Sequence, residues 1–199
     1  YAGGVPAAGV RHAGMTIQHI AFAGSVVGVD ASGPGAQRLA RSLFGHLPDA
    51  GSGAHTTLSV SEDGDGFHLK RDGAPVGARP TAAAMAELLL GEVCHHLADR
   101  SSGGLLLHAA AVAVGGQGLV LPGASGSGKS TLCGWFTTRG WQYLTDEMVY
   151  VPFGSVNFIA FARPLSLKSD ARPHLPQLFE PPPRPGRPCA AAPRRSARG

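Results

Sequence analysis

A glycine-rich loop between a strand pattern and a helix pattern is the feature that most constrains this chain. The segment GASGSGKST fits the spacing G-x-x-x-x-G-K-[ST]. The apolar run LVLP precedes it and predicts a strand, whereas LCGWFTTR follows it and predicts a helix. Glycines allow several backbone N–H groups to turn toward one anion, and the positive end of the helix dipole lies at the same place. We therefore predict that the phosphates of a nucleotide bind to Gly123, Ala124, Ser125, Gly126, Ser127, Gly128, Lys129, Ser130 and Thr131.

Two side chains of this loop have a specific chemical role. The Lys129 ammonium can reach the β- and γ-phosphates of a nucleoside triphosphate, and the Ser130 hydroxyl can ligate Mg²⁺. ATP and Mg²⁺ are therefore the predicted cofactors.

An acidic pair follows the strand that comes after this helix. A strand–helix–strand unit makes its two strands parallel, and parallel strands end at the edge of the sheet where ligands bind. We therefore expect Asp146 and Glu147 to lie beside the phosphates. Asp146 is predicted to ligate Mg²⁺, and either carboxylate can accept the proton of an attacking hydroxyl. His108 lies in the apolar strand pattern LLLHAAAV, where a lone histidine is more often a core residue than a catalytic one.

The rest of the chain is expected to form four regions. Residues 1–14 are predicted to be a flexible N-terminus and residues 15–100 a small α+β segment, with helices at 34–44 and from Thr81 to about Arg100 and a hairpin at 56–71. Residues 101–170 contain the glycine loop. Residues 171–199 hold half of the prolines and no apolar periodicity, which predicts a disordered tail. A product of a shifted reading frame is the alternative for this tail. A secretory signal is the alternative to a strand pair for the apolar run at 20–29.

Charge and cysteine content exclude several classes of protein. The net charge of +4 comes from the tail, which carries six arginines and one glutamate, so the folded body gives no reason to expect nucleic acid. No apolar run reaches the roughly 18 residues of a membrane span. Three scattered cysteines predict neither a disulfide framework nor a zinc site. A cytoplasmic protein without a membrane or nucleic-acid partner is the expectation.

Taken together, these motifs resemble the kinase domain of the HPr kinase/phosphorylase superfamily, and more closely its HPr-kinase-related branch. His108 stands 15 residues before the loop's first glycine, and the acidic pair stands 17 and 18 residues after Lys129. The chain also reads LHAA at 107–110, Arg-Gly at 139–140, TDE at 145–147 and RPLSLK at 163–168. In the HPr enzymes both members of the acidic pair are aspartates, whereas the second here is glutamate.

The resemblance implies an α/β fold, namely a P-loop kinase domain related to phosphoenolpyruvate carboxykinases, shortened at its C-terminus. It implies transfer of the γ-phosphate of Mg-ATP to a serine of a protein or peptide, with Asp146 or Glu147 as the base and His108 hydrogen-bonded nearby. Arg163 takes the place of an arginine that contacts phosphate. Relatives in this superfamily often form homo-oligomers.

Other functions fit the same loop. A kinase of a small-molecule hydroxyl would use the same chemistry at the γ-phosphate and differ only in the acceptor pocket. A transporter or motor ATPase has a similar loop, but this chain lacks an LSGGQ-like signature. A shortened protein that binds nucleotide without catalysis is the remaining alternative.

Overall fold

The computed structural model describes residues 17–179 and contains two five-stranded sheets. The first sheet has the order β1-β2-β3-β4-β5. Its strands are β1 (Gln18–Phe22), β2 (Ser25–Ser32), β3 (Thr56–Asp63), β4 (Gly66–Arg71) and β5 (Ala74–Arg79). Two helices belong to the same part of the chain, α1 (Pro34–Phe44) and α2 (Ala82–Asp99). Both predicted helices and the predicted hairpin are confirmed, and the Thr81 hydroxyl accepts a hydrogen bond from the Ala84 N–H at the start of α2.

The second sheet is built around one long strand, β6 (Gly104–Val114). On one edge β6 pairs with β7 (Gln117–Pro122), and on the other with β8 (Gln142–Thr145) and β9 (Met148–Pro152). The short strand β10 (Ile159–Ala160) extends the sheet beyond β9, and α3 (Lys129–Thr137) connects β7 to β8. β8 and β9 thus form one interrupted strand along β6, and the interruption falls at residues 146–147.

The prediction of an α/β P-loop kinase fold is wrong. The molecule is rich in sheet, with one sheet curled into a half barrel. Within residues 17–179 only β2 and β3 pair in parallel, and every other strand pair is antiparallel. The strand–helix–strand pattern around the glycine loop fixes the directions of β7 and β8, which do run the same way. It does not reveal that the antiparallel strand β6 lies between them.

One core joins the two sheets. Val27, Val29, Leu58 and Val60 of the first sheet are almost completely buried, in the same cluster as buried residues of α1 and α2. The cluster also contains Met148, Tyr150 and Phe161 from the second half of the chain. The ring centroids of Phe22 and Phe161 lie 5.2 Å apart in an edge-on arrangement. The sheet that carries the glycine loop is thereby fixed against the first sheet.

The segment after the second sheet differs from the prediction that residues 171–199 are disordered. Ala171 and Leu175 are buried within a region of two short 3₁₀ turns (Ser169–Ala171 and Pro176–Leu178). Leu175 packs on α3 at Gly134, where an added Cβ would lie 2.8 Å from the Leu175 Cδ1. Apolar side chains spaced among prolines therefore pack this segment against α3. The predicted flexible N-terminus (1–14) and the tail beyond residue 179 lie outside the described residues.

Gly104 allows β6 and β9 to approach each other, and its replacement by alanine is expected to destabilise the protein. A Cβ at this position would lie 2.4 Å from the Val151 carbonyl oxygen and 2.6 Å from the Tyr150 ring, so the backbone must shift. Overpacking of this kind costs about 1–3 kcal/mol, which corresponds to a loss of about 3–10 °C in melting temperature. Thermal unfolding measures this loss. Gly64→Ala is the matched control, since an added Cβ there meets nothing within 4 Å, and equal melting temperatures for the two variants would contradict the expectation.

Candidate functional site

The glycine loop joins the end of β7 to the first turn of α3. Gly126 (φ 82°) and Gly128 (φ 86°) adopt left-handed backbone conformations that favour glycine. Gly128 is the N-cap of α3 and offers no side-chain cap to the first N–H groups of the helix. The Lys129 Nζ lies over the loop and donates hydrogen bonds to the carbonyl oxygens of Gly123 (2.8 Å) and Ala124 (3.0 Å). Uncapped N–H groups and an ammonium thus converge on one small volume, which suits an anion.

The pairing of β6 brings the acidic pair to the same place. Ala109 is paired with Pro122 at the end of β7, and Ala111 is paired with Thr145 at the end of β8. The loop and the acidic pair therefore start from neighbouring positions on opposite edges of one strand. β8 also has an extra residue between Tyr143 and Thr145 relative to β6, which is a β-bulge. Bulges commonly redirect side chains next to functional sites.

Asp146 is the buried member of the pair. Its side chain is only 3% exposed, and its Oδ1 accepts a hydrogen bond of 2.8 Å from the Tyr143 hydroxyl. The Arg163 Nε lies 3.3 Å from the same oxygen. Burial, together with the nearby Asp146 carboxylate, raises the pKa of the Tyr143 hydroxyl, so Tyr143 remains a hydrogen-bond donor. Asp146 is thus held in one orientation by two donors.

Glu147 is the more open member and faces a different set of partners. Its side chain is 26% exposed, and its Oε1 lies 3.8 Å from the Nδ1 of His108. Its Oε2 pairs with the Nη1 of Arg163. One guanidinium therefore bridges both carboxylates, which offsets their mutual repulsion. His108, which sequence patterns alone would place in the core, is 54% exposed and stands beside the acidic pair because it is paired with Met148.

Most of the residues described above line one cleft of about 820 Å³. Of the predicted site residues, its lining includes His108, Ser125, Gly126, Gly128, Lys129, Ser130, Thr131, Asp146, Glu147 and Arg163. Gly123, Ala124 and Ser127 belong to the loop but not to the lining. Residues that were not predicted also line the cleft, namely Leu132, Trp135, Ser166, Lys168, Asp170, Ala171 and His174. Periodicity could not reveal the last five of these, because their position depends on how residues 166–174 fold back over α3.

The donor atoms of the cleft suit Mg²⁺. Ser130 supplies a hydroxyl and Asp146 a carboxylate, and both described contacts of Asp146 use Oδ1, which leaves Oδ2 as the oxygen for a cation. Mg²⁺ prefers oxygen ligands and is commonly held by one or two protein groups together with water and phosphate oxygens. No cluster of three or more His, Cys, Asp or Glu side chains suited to a metal ion occurs in residues 17–179. Ser130 and Asp146 therefore offer oxygen ligands of the kind that Mg²⁺ takes.

The two cysteines in the described part of the chain are buried free thiols. Burial raises the pKa of Cys133 to about 11 and that of Cys94 to about 12, so both thiols stay protonated near neutral pH. They agree with the expectation that these cysteines form no disulfide.

As for membranes, none of the helices between residues 17 and 179 has both the length and the apolar character needed to span a bilayer.

Comparison with known proteins gives one match. The family described as SynChlorMet cassette protein ScmC matches residues 80–167, which is less than half of the chain. No curated protein and no solved structure matches. The matched segment begins just before α2 and includes the glycine loop, the acidic pair, His108 and Arg163.

The assignment to the HPr kinase/phosphorylase superfamily is therefore wrong, because the matching family is ScmC and no kinase family matches. The assignment rested on a glycine loop, an acidic pair and short flanking strings. A glycine loop suits phosphate binding and a pair of carboxylates suits a cation or a proton in proteins of unrelated descent, so these features indicate chemistry more than descent. The chain is similar to the ScmC family over residues 80–167, which include the glycine loop, the acidic pair and most of the residues that line the cleft.

Proposed function

We propose that this protein binds Mg-ATP in the cleft and transfers the γ-phosphate to the hydroxyl of an acceptor. The observation that carries the proposal is the convergence of Lys129, the uncapped start of α3 and the acidic pair on one cleft. A loop that binds phosphate is sufficient for a nucleotide-binding protein. A carboxylate and a histidine opposite that loop add what phosphoryl transfer to a hydroxyl requires.

The phosphates would lie against the first turn of α3. The backbone N–H groups there donate to phosphate oxygens, and Lys129 exchanges its two carbonyl partners for the β- and γ-phosphates. The Ser130 hydroxyl and the Asp146 carboxylate would hold Mg²⁺, which, when bound, neutralises charge on the phosphate oxygens. The Tyr143 hydroxyl and Arg163 keep Asp146 in position for this role.

Glu147 is the better placed of the two carboxylates to act as the base. It is the more exposed member of the pair and lies beside His108, whereas Asp146 is buried behind it. In the transfer, the acceptor oxygen forms a bond to the γ-phosphorus while the bond from that phosphorus to the β–γ bridging oxygen breaks. The hydroxyl proton passes to the Glu147 carboxylate, and ADP leaves with the bridging oxygen. Arg163 can also interact with the developing charge on the γ-phosphate, because it lines the same cleft as the two carboxylates.

A serine of a protein or peptide is the acceptor that we propose first, and a small-molecule hydroxyl is the second. The cleft is open to solvent beside Glu147, because the neighbouring His108 side chain is half exposed. An open cleft favours a large acceptor. The matching family's description names a cassette and no reaction, so it does not choose between these acceptors. The cytoplasm is the proposed location, because ATP is the phosphoryl donor.

One observation favours a second candidate function, nucleotide binding without transfer. Arg163 engages both carboxylates at once, and a carboxylate that stays paired with a guanidinium is a poor base. In that case the protein would bind Mg-ATP and release it unchanged.

The test is transfer of label from [γ-³²P]ATP with Mg²⁺ to degenerate peptides that contain a single serine. The matched control is the same peptide pool with alanine in place of serine, and a panel of small hydroxyl compounds is tested in parallel. We expect label in the serine pool, none in the alanine pool, and ADP release in proportion. Tight binding of Mg-ATP with no label in any acceptor would contradict phosphotransfer and support the second candidate.

A further inference from the structure

The tryptophan of α3 is a large aromatic side chain that is partly exposed. The Trp135 indole is 41% exposed and contributes to the wall of the cleft. The Arg139 guanidinium carbon lies 3.5 Å from its ring centroid and covers one face of the ring. Phe136 meets the ring nearly at right angles, with centroids 5.2 Å apart. The indole is thus held by its neighbours while part of its surface remains open to the cleft.

The position of Trp135 along α3 relates it to the phosphate loop. Trp135 follows Thr131, the last residue of the loop motif, by one helical turn, so the two lie on the same face of the helix. Trp135 stands five residues after Ser130, which places it about 7.5 Å farther along the helix axis. This separation suits a ribose and an α-phosphate between the β-phosphate and a base. Leu132 and Ala171 add apolar surface to the lining of the same cleft, and Asp170 and His174 add polar groups to it.

We propose that Trp135 is the stacking platform for the nucleobase of the bound nucleoside triphosphate. The proposal rests on the proposed function, because it assumes that the phosphates lie at the glycine loop. Indole rings stack well on bases, and a guanidinium on one face of the indole keeps the ring in a fixed plane. Asp170 and His174 are then the groups available to the polar edge of the base. A purine is the class of base that best uses the area of an indole ring.

The experiment compares the binding of two magnesium complexes, those of ATP and of inorganic tripolyphosphate, to four proteins. These are the unchanged chain, Trp135→Ala, Trp135→Phe and Lys129→Ala, each measured by isothermal titration calorimetry. We expect Trp135→Ala to lower affinity for ATP by about tenfold to a hundredfold, the range of base–aromatic stacking, and to leave affinity for tripolyphosphate within about twofold. Trp135→Phe keeps an aromatic face and should retain most of the affinity for ATP. Circular dichroism shows whether each variant is folded.

The outcomes separate this proposal from the one on which it rests. If the unchanged chain binds ATP no more tightly than tripolyphosphate, or if Trp135→Ala weakens both ligands equally, the stacking role is overturned while the phosphate site stands. If neither ligand binds, or if Lys129→Ala binds both as well as the unchanged chain does, the proposed function itself fails. Fluorescence gives a second readout in a Trp141→Phe background, where Trp135 is the remaining tryptophan. Quenching by ATP but not by tripolyphosphate is expected, and equal spectra with both ligands would overturn the stacking role.

Discussion

Replacing Lys129 with alanine is expected to abolish the thermal stabilisation that Mg-ATP gives to this protein. A ligand present at 100 times its dissociation constant adds about 2.7 kcal/mol to the stability of the folded state, or about 5–10 °C in melting temperature for a chain of this size. The ammonium is the one lysine charge within the loop motif, and within residues 17–179 it donates hydrogen bonds to the carbonyls of Gly123 and Ala124. The variant should therefore unfold at nearly the unchanged temperature without nucleotide and show no shift with it. Differential scanning fluorimetry measures both quantities.

Lys70→Ala is the matched control for this experiment. Lys70 lies on β4 in the first sheet and does not line the cleft. Its removal takes away the same charge from the protein and should leave the response to Mg-ATP intact. If Mg-ATP raised the melting temperature of Lys129→Ala as much as that of the unchanged chain, the glycine loop would not be the phosphate-binding site.

Replacing Glu147 with glutamine is expected to lower phosphoryl transfer by about 10²–10⁴-fold, the usual contribution of a positioned general base. Affinity for Mg-ATP should stay nearly the same, because the amide keeps the shape of the carboxylate and the phosphates lie against α3. The rate of transfer is measured as ADP release in the presence of an acceptor that takes up label in the experiment above. The affinity for Mg-ATP is measured by calorimetry. Glu87→Gln is the control, since Glu87 is exposed on α2 away from the cleft.

The comparison with Asp146→Asn decides between the two carboxylates. If the base is Glu147, Asp146→Asn acts mainly through the orientation of Arg163 and the binding of Mg²⁺, and raising the Mg²⁺ concentration should restore part of the rate. Normal transfer in Glu147→Gln with none in Asp146→Asn at any Mg²⁺ concentration would move the base to Asp146.

The parts of the site that local sequence could predict are those made by contiguous residues. The glycine loop is one of these, since the left-handed backbone at Gly126 and Gly128 is available to few other residues. Helices α1 and α2 were also predictable, because apolar spacing and the Thr81 cap act within a few residues of each other.

The parts that local sequence could not predict depend on strand pairing over long separations. The insertion of β6 between β7 and β8 leaves no local signal, which is why an α/β sheet was predicted in place of a mostly antiparallel one. The environment of His108 shows the same limit. Its strand is apolar, but its register opposite Met148 places it beside Glu147 and half in solvent.

The pairing of β6 also ties ligand binding to the order in which the chain acquires structure. β6 and β7 are joined by a short turn and can pair early. The other edge of β6 stays unpaired until β8 and β9 form, and these strands come after α3 in the chain. Closing that longer loop carries the larger entropic cost and is expected to be the slower step. Until it closes, the glycine loop can exist without the carboxylates opposite it. Recovery of the Mg²⁺-dependent part of the affinity for ATP during refolding would therefore report the pairing of β8 and β9 with β6. A nascent chain would reach that state only after Pro152 had left the ribosome.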